Sequence, residues 1–63
     1  MKINYENLII EMARNQLSRK DFIKKANIAD RTFQNIKNGK MCNPETVGRI
    51  AITLGCSIEV LTE

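Results

Sequence analysis

The chain has 63 residues, ten lysines and arginines against seven acids, two cysteines and no histidine. That length suits one domain, 1–63, with a core so small that every element must contribute to it. Cys42 and Cys56 form no C-x-x-C pair and have no imidazole to join them, so neither a metal, a cofactor nor an enzyme's nucleophile-and-base set is expected.

Two further expectations come from composition. The run Leu8-Ile9-Ile10 is far shorter than the ~20 apolar residues that cross a bilayer, and no secretion signal is visible. A cytoplasmic protein with reduced cysteines and no membrane partner is therefore expected. The net charge of +3 is uneven: residues 1–40 carry nine Lys/Arg against four Asp/Glu, and residues 41–63 carry one Arg against three Glu. A basic half of this kind either solvates a helical surface or meets a polyanion.

Five helices are predicted, and each starts in the same way. An apolar residue before the cap is placed to clasp another one turn inside the helix, as a hydrophobic staple. The pairs are Ile3/Leu8, Leu17/Phe22, Ile28/Phe33, Cys42/Val47 and Cys56/Leu61. The residues between them, Asn4, Ser18, Ala29, Asn43 and Ser57, are the N-caps, and only Ala29 lacks a capping side chain.

The first helix is expected from Tyr5 to Asn15, with Tyr5, Leu8, Ile9, Met12 and Ala13 on one apolar face. The second, Arg19 to Ala26, turns Phe22, Ile23 and Ala26 inward and Lys20 and Lys24 outward. The third, Asp30 to Asn38, ends at Gly39, which suits the left-handed position after a helix. The fourth opens at Asn43-Pro44, buries Val47, Ile50, Ala51 and Leu54, and ends at Gly55. The fifth, Ile58 to Leu61, closes the core, and no strand is needed. Gly48, inside the fourth helix, reflects either a close backbone approach or nothing structural. Ile10, Ile52 and Val60 fall off the inward stripes, as isolated surface residues or as parts of a dimer patch.

The third helix carries the chemistry. At 100° per residue, Phe33 and Ile36 fix the inward side. Arg31, Asn35 and Asn38 then point nearly opposite, with Gln34 beside them, Asp30 and Lys37 on one flank and Thr32 on the other. A guanidinium pairs bidentately with guanine N7 and O6, and the amides of Asn35 or Gln34 pair with adenine N6 and N7. The Thr32 methyl suits a thymine methyl, and the Asp30 carboxylate suits cytosine or the cap of its own helix. Ser18 and Arg19 open the second helix, whose first N–H groups suit a phosphate.

The ordered set Leu17-Ser18, Ala26-Asn27-Ile28, Thr32-Phe33, Ile36, Asn38-Gly39-Lys40, Pro44-Glu45-Thr46 and Leu54-Gly55-Cys56-Ser57 resembles the phage repressor and Cro-like (XRE-type) helix-turn-helix family. The resemblance implies an all-α, five-helix, lambda-repressor-like DNA-binding domain with its helix-turn-helix unit at about 18–38. It implies that the third helix enters the major groove, with Asp30, Arg31 and Asn35 at the base-reading positions. Asn38 and Lys40 would meet phosphate across the groove. Asn27 stands where the family usually has Gly, and Ile23 where it usually has Ala. Ala29 stands where the family often has Ser or Thr. Asn tolerates positive φ, Ile23 must face solvent or another gap in the core, and Asp30 could take over the cap. The implied function is a sequence-specific, repressor-like regulator of transcription. Its implied partner is double-stranded DNA bearing an inverted repeat, met as a homodimer, with no small-molecule substrate. The alternative is a protein-interaction module on the same fold, resembling an antitoxin or an anti-repressor.

Overall fold

A computed structural model describes residues 1–63. Its helices are α1 (Tyr5–Arg14), α2 (Arg19–Ala26), α3 (Asp30–Lys37), α4 (Pro44–Leu54) and α5 (Ile58–Leu61). Asn4, Ser18, Asn43 and Ser57 each accept a backbone N–H from the first turn, as their residue types predict. Ala29 has the extended backbone of a cap but nothing to accept with. Asp30 does not substitute for it, so its carboxylate is unoccupied by capping.

The helix ends follow one pattern. Gln16, Asn27, Gly39 and Gly55 all take positive φ just past α1 to α4. In each case the next residue's amide reaches back five positions, Leu17 to Met12, Ile28 to Ile23, Lys40 to Asn35 and Cys56 to Ala51, which closes a Schellman motif. Asn27, at φ 57 and ψ 49, meets the turn geometry that glycine usually supplies. Leu17, Ile28 and Cys56 then serve twice, closing one helix and packing against the core as the staple residue of the next. After α3 that place falls to Lys40, which is exposed, and a longer loop follows.

Twelve residues form the core: Ile3, Leu8, Met12, Phe22, Ala26, Phe33, Ile36, Val47, Ile50, Ala51, Leu54 and Leu61. Tyr5, Leu17, Ile23, Ile28, Cys42, Cys56 and Ile58 pack against them half-buried, so Ile23 fills the edge of the core without turning to solvent. Two expectations need correction. Ile9 is 40% exposed and Ala13 is exposed as well. The inward face of α1 is rotated away from them, because the amide of Asn7 donates to the Val60 carbonyl and that of Asn15 to the Leu54 carbonyl. Those bonds turn the Asn7–Asn15 side toward α4 and α5. Ile3 is buried although it precedes every helix, because it pairs with Thr62 in an isolated antiparallel bridge, the one extended contact in the fold. The Asn4 amide donates to the Leu61 carbonyl on the same line. Gly48 has open space where a Cβ would stand, so no close approach accounts for it. Both cysteines are free, and no helix is long and apolar enough to cross a membrane.

Candidate nucleic-acid interface

Phe33 anchors α3 to the rest of the molecule. Tyr5 of α1 and Phe22 of α2 meet its ring edge-on, with centroids 6.1 and 5.9 Å away. The Arg19 guanidinium, from the first residue of α2, lies over the same ring at 4.7 Å. Phe33 and Ile36 are each 1% exposed, so the inward side of α3 is where periodicity puts it. The outward row is then fixed by the helix.

The predicted site residues fall into three groups. Asp30 and Arg31 are exposed at the start of α3, and neither makes an ion pair. Gln34 and Asn38 are exposed too, but they are bonded to one another, Gln34 Nε2 donating to Asn38 Oδ1 at 3.4 Å. This i,i+4 bond leaves the Asn38 amide nitrogen free to donate elsewhere. Thr32 and Asn35 are half-buried and face the loop after the helix. They line a shallow pocket of about 160 Å³ with Met41, Cys42, Asn43 and Thr46. Asn35 is therefore not on the same open row as Arg31, as a plain helical wheel suggests. It sits at the rim of a pocket whose outer wall includes Met41, 72% exposed.

Ser18 caps α2 through the Asp21 amide, which leaves its hydroxyl hydrogen free to donate. Arg19 and Lys40 are exposed at the two ends of the helix-turn-helix segment. The cations sort sharply. Outside residues 19–40, Lys2, Arg14 and Arg49 each pair with an acid, Glu63, Glu11 and Glu45. Within that segment Arg19, Lys20, Lys24, Lys25, Arg31, Lys37 and Lys40 have no acidic partner. Surface ion pairs add little stability, so what matters here is charge left uncompensated. A contiguous stretch of free cations around a helix with an open polar face is an electrostatic footprint for a polyanion.

Arg49 is a positioning residue that sequence reasoning passed over. Its Nη1 donates to the carbonyl of Asn27 at 3.1 Å and its Nη2 to Glu45 Oε1 at 3.1 Å. It thereby ties α4 to the left-handed residue of the turn between α2 and α3. The Glu45–Arg49 spacing signals an intrahelical pair, but nothing local signals the reach to Asn27, 22 residues away.

These features define a helix-turn-helix surface: two short helices joined by a left-handed turn, an outward polar row and unpaired positive charge. Residues 7–63 match the Cro/C1-type HTH DNA-binding domain family, and the chain belongs to it. Comparison with curated proteins and with solved structures returns no significant match. The chain is a DNA-binding regulator of this family, a family that is typically non-enzymatic.

Proposed function

We propose that the chain is a repressor-like transcriptional regulator that reads duplex DNA sequence with α3 in the major groove. The observation that carries this reading is the exposed, unpaired Arg31 in a segment whose cations all lack acidic partners. Arg31 pairs with guanine, and Asn35 and Gln34 with adenine. Thr32 meets a thymine methyl, and Asp30 a cytosine amine. Ser18, Arg19, Asn38 and Lys40 hold phosphates and set the register. Stacking on Phe33 supports the phosphate role of Arg19, since it fixes the guanidinium without a carboxylate to neutralise it. One domain of this size covers a short half-site, so useful specificity calls for two copies on an inverted repeat with centres about one helical turn apart. Ile10, Ile52 and Val60, 50, 84 and 42% exposed, supply apolar surface for the second copy.

Sequence selection from random duplex DNA at two salt concentrations tests this. The expected product is an inverted repeat whose binding weakens steeply with salt. Arg31→Ala should relax preference at one position per half-site and cost about 1–3 kcal/mol. Recovery of no enriched motif, together with a stoichiometric protein partner, would replace this reading with that of an interaction module.

A further inference from the structure

The segment ahead of α1 is hydrogen-bonded on both of its edges. On one edge the Glu63 amide donates to the Lys2 carbonyl, Ile3 bridges Thr62, and the Asn4 amide donates to the Leu61 carbonyl. On the other edge Met1 and Cys42 exchange two backbone bonds. The Cys42 amide donates to the Met1 carbonyl at 2.6 Å, and the Met1 nitrogen donates to the Cys42 carbonyl at 2.9 Å. The segment thus lies between the end of α5 and the loop that follows α3. Ile3, 2% exposed, anchors it in the core.

Apart from the Cys42 side chain, which packs half-buried against the core, the loop has no other anchor. The Lys40 amide closes the Schellman motif of α3, and the Asn43 side chain caps α4. Between those two points the only hydrogen bonds made by the backbone run to Met1. Lys2 lies against the start of this loop: its Cε would stand 3.6 Å from a Cβ on Gly39. Residues 1–6 lie ahead of the stretch that matches the family, residues 7–63.

We propose that Met1–Asn4 positions Lys40 for the DNA backbone by tying the Lys40–Asn43 loop to the end of α5. The proposal rests on the reading of Lys40 as a phosphate contact. A loop held in place before DNA arrives loses less conformational freedom when Lys40 engages, so the tether acts as preorganisation.

Two variants of the 63-residue chain isolate the effect. Deleting Lys2 moves Met1 into the place beside Glu63 and leaves Cys42 with no pair. Lys2→Met puts the same side chain there and keeps a residue opposite Cys42. Each is measured with and without Lys40→Ala on the selected duplex across a salt series, alongside exchange of the Cys42 amide. The Cys42 amide should be protected in the parent and in Lys2→Met and should exchange freely in the deletion, while α4 core amides stay protected in all three. The deletion should bind on the order of tenfold more weakly than Lys2→Met, with its salt slope reduced by about 0.9. Lys40→Ala should cost a similar factor in Lys2→Met and nothing further in the deletion. Cys42→Pro, which removes the amide that donates to Met1, should reproduce the deletion. Equal affinity and an equal cost of Lys40→Ala in both backgrounds would overturn the proposal, as would an unprotected Cys42 amide in the parent. Sequence-specific binding that persists while these differences vanish removes the tether alone. Absence of any salt-dependent binding removes the DNA reading, and the proposal with it.

Discussion

Replacing Phe33 with leucine tests whether α3 is held by aromatic geometry or by apolar volume alone. Leucine keeps most of the buried hydrocarbon. It removes two edge-to-face pairs, with Tyr5 and Phe22, worth about 0.5–1.5 kcal/mol each. It also removes the ring beneath Arg19, worth about 0.5–1 kcal/mol at an exposed site. Phe33→Leu should therefore destabilise by roughly 1.5–4 kcal/mol. A domain of this length has about 3–9 kcal/mol in total, so the variant should unfold in much less urea. Its Tm should fall by more than about 6 °C. Urea unfolding followed by far-UV circular dichroism gives the difference. A cycle with Arg19→Met, which keeps the aliphatic stem, extracts the stacking contribution. A loss below about 0.5 kcal/mol would mean that packing volume alone holds the helix. A cycle with zero coupling would mean that Arg19 is not fixed by the ring, and the argument for a preset guanidinium would go with it.

Ala29→Ser should stabilise by about 0.5–1 kcal/mol in the same assay, because the cap backbone is already in place and only the acceptor is missing. Gly48→Ala should add about 1 kcal/mol, since its Cβ meets nothing within 4 Å and glycine is the poorer helix former. Burial pushes the Cys42 and Cys56 thiols above 9.0, so both should alkylate more slowly than a free cysteine at neutral pH, as timed by mass spectrometry. The folded state holds these protons more firmly than the unfolded state does. The stability they contribute is thus complete below pH 9.0 and should fall as the pH rises through the folded values.

The local features of this fold were legible in the sequence. Cap and staple pairs repeat at every helix start, and each uses residues close together in the chain, so spacing alone located all the elements. Asn27 in its left-handed turn was legible through the resemblance to a family that usually has glycine there. What escaped was long-range. Ile3 opposite Thr62, Arg49 on the Asn27 carbonyl and Asn15 on the Leu54 carbonyl join residues 22 or more positions apart, and no periodicity encodes them. The exposure of Ile9 follows from two of the missed bonds, those of Asn7 and Asn15. The candidate site was legible to the same depth. The wheel identified Arg31 as outward, but the pocket around Thr32 and Asn35 depends on where the following loop lies, which the helix alone does not determine.

Three of the four junctions in this chain are made by a residue with two duties, since Leu17, Ile28 and Cys56 each finish one helix and start the next. Such joints have no slack. An inserted residue would split the two duties between different side chains and rotate everything downstream. The junction after α3 is different, because Lys40 ends the helix and Cys42 begins the next, with Met41 between. Length variation among relatives should therefore concentrate at Lys40–Cys42, where the chain can lengthen without disturbing the angle between α2 and α3. That is also the margin of the surface proposed to meet DNA. On the proposed reading, the molecule thus confines its architectural freedom to a place where a change would alter recognition and leave the fold intact.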